Sequence, residues 1–427
     1  MSTLDVVVVG AGVAGISAAR ALMQQGLTTA VVEARDRIGG RVYSVRDLCA
    51  APVEGGAEFI HTGDAEIWPE IRAAGLAVRP CPLARNSLFN LGGRTRWLPW
   101  ILLDPGVWPS FPILRHIRRV GARDLSAREF IERHGFRGRA RIMAEMTLTA
   151  HLPGGIDDVG VRGLLEDRVL SLETGSYHRV VDGYDRFPEF MSRSLDLHLG
   201  FAVDTIRWAA DGVSVSARDG RELTARAAIS TLPFGVVKSG AVRFVPELPD
   251  GKRSTFTHIE MGPVLKVLLH FREPFWPRWA TNIGCGTGPV TLYWPVFYGA
   301  PDAPAVLTAY CTGPRAAALS RTSEPEALDI VLADLRRLFP KADPHRALLA
   351  SKRIDWATDP FACGGYTFLR PGGTGARARL GASDTGALFW AGAAVATPTI
   401  ADTVQAAYMS GIRAAGAVRA HLDARSG

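Results

Sequence analysis

Gly10, Gly12 and Gly15 follow the β-branched run Asp5-Val6-Val7-Val8-Val9 and open an Ala-rich helical segment from Ile16 to Gln25. Each glycine has a task in that setting. Gly10 permits a tight turn, Gly12 lets the backbone approach a pyrophosphate, and Gly15 allows close helix–strand packing. The helix N-terminus adds free N–H groups and a partial positive charge. A second β-branched run, Thr28 to Val32, ends at Glu33, whose carboxylate is placed to accept from both ribose hydroxyls of an adenosine. This is dinucleotide-binding chemistry. Directly after Glu33 come Ala34 and Arg35, then Gly39, Gly40 and Arg41. A nicotinamide site has no need of this second glycine pair, whereas a cofactor with a larger second half does. Gly39 and Gly40 can bring the chain against the pyrophosphate, and Arg41 can neutralise it. The stretch Glu54 to His61, with Gly56, Ala57, Glu58 and Phe59, offers small residues where an isoalloxazine ring would be covered.

Lys266 is the second chemical signal. Its strand, Val264 to Phe271, is apolar except at Lys266 and His270, and the period of two puts both on one face. A lysine there is costly to bury unless it is paired or does chemistry. The alternative is a lysine snorkelling from an edge strand. His270 reads as a structural residue.

The elements that must position these groups alternate in texture. Residues 1–67, 196–257 and 357–427 read as strand-then-helix and carry the dinucleotide signals; 68–195 and 258–356 carry helices and longer strands, with Trp97, Trp100 and Trp108 as core or pocket wall. Two interleaved domains fit this best, with no internal repeat. The composition, 47% hydrophobic and 21% charged over 427 residues, excludes a disordered or collagen-like chain. No window offers 18 uninterrupted apolar residues, so no membrane span is expected. Of the 49 basic residues 5 are Lys and therefore 44 are Arg, a bias resembling that of GC-rich bacterial genomes. They are scattered along the chain, which argues against a nucleic-acid binder despite the net charge of +7; Arg115, Arg118 and Arg119 read as a solvated helix face. Cys49, Cys81, Cys285, Cys311 and Cys363 form no CxxC pair or Cys/His cluster, so neither a disulfide framework nor a metal site is expected. Met1 to Leu4 lacks a basic signal-peptide start, and a cytoplasmic protein is the default.

With these motifs in hand, the chain resembles the flavin-containing amine oxidases: monoamine and polyamine oxidases, L-amino acid oxidases and lysine-specific histone demethylases. The resemblance runs through the glycine fingerprint, Glu33 to Arg41, Gly55 to His61, Asp182-Gly183-Tyr184, Ala202 to Ile206 and Ile229 to Lys238. It continues through Lys266, Trp356, Gly365-Tyr366, Leu388 to Gly392 and Thr403 to Gly411. It implies an α/β fold in which a Rossmann-like (GR2-type) FAD-binding domain is interleaved with an α+β substrate-binding domain. It also implies non-covalent FAD, since monoamine oxidases attach the flavin to a cysteine where this chain has Gly365.

Residue by residue, the resemblance has Val203 meeting the adenine through its backbone, Thr231 and Pro233 lining the cofactor path, and Trp356 beside the cofactor. Gly392, Thr403, Val404 and Ala407 would hold the ribityl chain and ring, with the last helix aimed at the pyrimidine side. Lys266 would stand next to flavin N5 through a water, Tyr366 would form one aromatic wall for the substrate nitrogen, and His61 would lie near the substrate entrance. The implied activity is hydride transfer from a C–H next to an amine nitrogen to flavin N5. Reoxidation by O2 would then yield H2O2 from a small-molecule amine substrate. Two departures stand out: Ala393 replaces a usual glutamate, and Thr399-Ile400-Ala401 supplies no second aromatic wall. They leave open an FAD-dependent desaturase acting on a secondary metabolite, a monooxygenase relative, and a catalytically silent FAD-binding scaffold.

Overall fold

The computed structural model describes residues 4–63, 65–82, 86–121, 123–170, 176–300, 302–395 and 398–425. Met1 to Thr3, most of the start read as lacking a basic signal-peptide region, and Ala396 and Thr397 lie outside the described residues. The β-branched run forms the strand Leu4–Val9, paired in parallel with Thr29–Val32 on one side and Glu222–Ser230 on the other. Val6, Val7 and Val8 are fully buried, as a strand covered on both faces requires. The sheet has eight strands. Asp196–His198 extends it beyond Thr29–Val32, and Leu388–Trp390 joins Glu222–Ser230 in parallel. Val203–Trp208 and Val213–Ala217 add an antiparallel meander.

The glycine turn hands the chain to the helix Val13–Gln24, whose N-cap is Gly12 with no side-chain cap. Its first N–H groups are therefore left for a ligand. Against this helix packs the last one, Val404–Asp423, and Gly411 is the crossing point. A Cβ at Gly411 would lie 2.1 Å from the Ser17 hydroxyl and 2.2 Å from the Ala14 carbonyl oxygen. The first and last motifs of the chain thus meet where only glycine fits.

A second, seven-stranded sheet runs in the order Leu348–Asp355, Val264–Phe271, Ala305–Thr312, Leu292–Pro295, Asn282–Cys285, Ser87–Asn90 and Arg96–Trp97. The Lys266 strand is internal, hydrogen-bonded on both sides, which removes the edge-strand reading. Register sets Lys266 opposite Tyr310 and Tyr310 opposite Leu292. Period two therefore puts Lys266, Tyr310 and Trp294 on one face. The 68–195 stretch is helical as expected, but it also gives Ser87–Asn90 to this sheet and Tyr177–Val180 to a three-stranded one.

The tryptophan expectation fails. Trp97, Trp100 and Trp108 are 40%, 62% and 52% exposed, neither core nor cavity wall. In Leu98–Leu102 and the short turn Trp108–Ser110 the buried positions are Ile101 and Ser110, so the rings are left on the outer side.

Gly411→Ala should force the first and last helices apart and lower the unfolding free energy by about 1–3 kcal/mol. A denaturant titration of the variant beside the parent measures this.

Candidate active site

One cavity of about 740 Å³ runs from the glycine turn to the second sheet. Every expected site residue except Gly15 lines it: Gly10, Gly12, Glu33, Ala34, Arg35, Gly40 and Arg41 at one end; Gly56, Ala57, Glu58, Phe59, His61, Lys266 and Tyr366 at the other; and Val203, Thr231, Pro233, Trp356, Gly392, Ala393, Thr403, Val404 and Ala407 along the wall. Gly15 sits behind the turn instead, where a Cβ would lie 1.9 Å from the Gly10 carbonyl oxygen. That is the packing task its spacing predicts.

The nucleotide end fits FAD. Glu33, at the end of its strand, is fixed by two backbone donors, Ala11 N–H to Oε2 at 2.9 Å and Arg35 N–H to Oε1 at 3.0 Å. Gly12 has open space where a Cβ would be, so the backbone itself faces the cavity. Gly39 donates its N–H to the Ala11 carbonyl oxygen at 2.8 Å and closes the second glycine pair onto the first turn. Arg35 pairs with Asp359, and the Arg41 guanidinium donates to the Gly365 carbonyl oxygen. At the far side Thr403 caps the last helix by accepting from Ala406 N–H at 3.2 Å, and the Ser410 hydroxyl accepts from Gly392 N–H at 2.9 Å. A Cβ at Gly365 would lie 2.3 Å from Val264 Cγ2, so no cysteine fits at that position. None of the five cysteines lines the cavity, and all five thiols are free. The cofactor is held without a covalent link.

The reactive end is built on one buried carboxylate. Glu58 accepts from Lys266 Nζ at 3.0 Å through Oε2, and from Arg179 Nε and Trp294 Nε1, each at 2.9 Å, through Oε1. Burial alone would raise the Glu58 carboxyl, yet the Lys266 and Arg179 charges bring it below its ordinary value. Lys266, 3% exposed, also donates to the Glu54 and Gly56 carbonyl oxygens at 3.0 and 2.9 Å. Its ammonium is therefore paired and held by three acceptors, and it lies 5.4 Å from the centre of the Trp294 ring.

Tyr366 has an aromatic neighbour that the sequence did not point to. Tyr310 and Tyr366 share a hydroxyl–hydroxyl hydrogen bond, and the Trp294 and Tyr310 rings are 5.2 Å apart. Burial lifts both phenols well above their ordinary value, so both stay protonated. His61 is pushed down to about 4 by burial and is a neutral imidazole at ordinary pH. Its backbone oxygen accepts from Gln405 Nε2 at 3.1 Å, which ties it to the last helix.

A second buried charge group also lines the cavity. Arg377, 2% exposed, grips Asp167 with two hydrogen bonds of 2.6 and 2.8 Å and reaches Asp402 at 3.1 Å. Thr367 donates its hydroxyl to Asp402 Oδ2, while Asp402 Oδ1 is buried with no hydrogen-bond partner among the described residues. Asp402 holds a φ of +55°, a value costly for a non-glycine residue and retained here beside the cavity. Arg179, Trp294, Tyr310, Asp167, Arg377 and Asp402 were not expected from sequence. They come from separate stretches that only the tertiary fold brings together.

Behind Lys266 lies Glu54, its carboxylate accepting from the Ser44 hydroxyl and from Tyr184 N–H at 2.8 Å. Burial, with nearby Glu58, pushes it up to about 8. The folded state thus binds a proton that the unfolded chain releases near its ordinary value. That contribution is fully present below about pH 4.5 and is lost as pH rises through about 8. The thermal midpoint should accordingly carry a falling contribution between about pH 5 and 8 that levels off above, and Glu54→Gln should remove that slope; a pH series of melting curves for both proteins measures it.

Residues 13–419 match the family model for flavin-containing amine oxidoreductases. The chain is 28% identical to polyamine oxidase 5 of Oryza sativa subsp. japonica, over 99% of this chain and 89% of that protein. It is 26% identical to lysine-specific histone demethylase 1B of Mus musculus, over 97% of this chain and 53% of the longer mouse protein. In structure it is similar to cyclohexylamine oxidase from Brevibacterium oxydans IH-35A (TM-score 0.84, 19% identity, 99% and 100% of the two chains covered). It is likewise similar to putrescine oxidase bound to putrescine (TM-score 0.83, 22% identity, 98% and 99% covered). The glycine turn, the Glu33 anchor and the Lys266 strand thus sit in a chain that belongs to the flavin-containing amine oxidoreductase family.

Proposed function

We propose that this protein is an oxidase of primary amines carrying an apolar carbon body. When bound, FAD supplies the two-electron acceptor for the C–H next to the nitrogen and passes the electrons to O2, giving H2O2. The observation that carries the reading is Lys266, buried and paired with Glu58 at the wall of the cavity that begins at the glycine turn. With Glu54 protonated, the charges of Lys266, Arg179 and Glu58 sum to +1, a fixed cation suited to stabilising negative charge where O2 is reduced. Tyr310 and Tyr366, joined through their hydroxyls, both line the cavity and support an aromatic setting for the substrate nitrogen.

Substrate class follows from charge and shape. Arg377 is committed to Asp167, Asp402, Thr367 and the Ala394 carbonyl, so it is not free to bind the carboxylate of an amino acid. The unpartnered Asp402 Oδ1 is instead an acceptor for the substrate's N–H. Neutral His61 adds no charge, and Leu98, Ile101, Phe111, Leu114, Met143 and Met146 offer a hydrocarbon body an apolar wall. The proposed division has 1–67, 196–257 and 357–427 binding the cofactor and 68–195 with 258–356 binding the substrate. The five free thiols support a reducing, cytoplasmic setting.

Anaerobic mixing with apolar primary amines should bleach the flavin absorbance, and unchanged absorbance with all of them would refute the reading. After reduction, Lys266→Met should reoxidise in air about tenfold or more slowly, because the fixed charge is gone. Stopped-flow absorbance reads this directly. Asp402→Asn should raise KM by about tenfold, the loss of one charge-assisted hydrogen bond, with a smaller change in kcat; steady-state peroxide assays separate the two.

A further inference from the structure

The segment from Leu91 to Arg123 differs from the rest of the chain. It holds Arg94, Arg96, Arg115, Arg118, Arg119 and Arg123 against one acid, Asp104. Six minus one leaves five of the chain's seven net positive charges in 33 of its 427 residues. Asp104 is buried and already taken by Arg139 and Arg96, and Arg123 pairs with Glu129. Arg94, Arg115, Arg118 and Arg119 are exposed and make no ion pair among the described residues.

Between these arginines lies an apolar turn. Trp100 is 62% exposed, Leu103 65% and Trp108 52%, with Trp97, Leu102 and Phe111 between 40% and 49%. Single exposed apolar side chains are ordinary on a protein surface; six within 15 consecutive residues are not. The turn is also connected to the site. Leu102 and Phe111 are half-exposed and line the cavity at the same time, so they stand at a mouth.

Three occupants could cover such a surface. A second copy of this chain, packed about a twofold axis, would set the same unpaired arginines against one another. A protein partner would need an apolar groove ringed by acids that matches a five-residue helix and an irregular turn. An anionic bilayer supplies apolar depth and negative phosphates together and demands no shape complementarity. Trp at the headgroup level, Leu and Phe below it and Arg on the lipid phosphates is the arrangement its chemistry favours. No helix among the described residues is long and apolar enough to cross a membrane, so the contact would be peripheral.

We propose that the 97–111 turn docks the protein on an anionic lipid surface, with Arg94, Arg115, Arg118 and Arg119 on the phosphates and the cavity mouth turned to the bilayer. Lipophilic amines dissolved in the membrane would then reach the cavity without crossing water. This delivery step rests on the proposed amine oxidase reading; the docking itself does not.

The test uses the purified holoenzyme and sedimentation with vesicles of phosphatidylcholine alone or with about one-third phosphatidylglycerol. Binding to the anionic vesicles should exceed binding to the neutral ones about tenfold, and should fall as salt rises from about 0.1 M to about 0.5 M. Brominated lipid in the anionic vesicles should quench the wild-type tryptophan emission. Trp100→Ser/Leu103→Ser and Arg115→Gln/Arg118→Gln/Arg119→Gln should each lose about tenfold of the binding. The proposal is overturned by a wild-type protein that ignores anionic vesicles, or by binding that neither variant set weakens. It is equally overturned if light scattering shows a dimer that Trp100→Ser/Leu103→Ser splits while vesicle binding is absent. Amine turnover enters none of these readouts, so a protein that docks but oxidises no amine would sink the functional reading and leave the docking intact.

Discussion

The Glu58 carboxylate is the constraint around which the reactive end is organised. It is almost wholly buried, and an ionised carboxylate in that position is tolerable only with full compensation. The compensation comes from three separate elements: Lys266 from an internal strand of the second sheet, Trp294 two strands away, and Arg179 from the three-stranded sheet. No one of these can shift without stranding charge. The network therefore acts as a geometric lock between the loop that follows the glycine motifs and the second sheet. Lys266, in turn, satisfies two backbone carbonyls of that same loop. Position and charge of the lysine are set by one set of bonds.

Polarity is graded along the cavity. At the nucleotide end the chain offers backbone N–H groups and Glu33, at the reactive end aromatic faces around a single fixed cation, and beyond it the apolar mouth. The Asp167–Arg377–Asp402 group interrupts the apolar stretch without opening a free cation. Both carboxylates lean on one guanidinium, which leaves a single oxygen unanswered.

Local sequence made the nucleotide half legible, because its signals are short: glycines at fixed offsets, β-branched runs, and an acid at a strand end. The Leu4–Val9 strand, the Val13–Gln24 helix and the Val264–Phe271 strand lie where the patterning predicts them. The other half was legible only where a residue type was out of place, as Lys266 is in an apolar strand. Tyr310 was hidden because its relation to Lys266 is cross-strand register, which no periodicity within one strand reveals. Asp167, Arg377 and Asp402 meet across 235 residues of chain (402 − 167), and their pairing has no local signature. Trp97, Trp100 and Trp108 misled for the converse reason. Large apolar rings predict burial on average, and here they sit on the outside of a turn whose inner side is already filled.

The close approach of Val264 to Gly365 reaches beyond the site itself. With no tether possible at that position, saturation with the prosthetic group becomes an equilibrium quantity. A ligand that binds only the native state adds about 1.4 kcal/mol to folding for each tenfold excess over its dissociation constant. Loading and resistance to unfolding are thereby coupled: protein stripped of the group should be cut by protease sooner than protein that holds it.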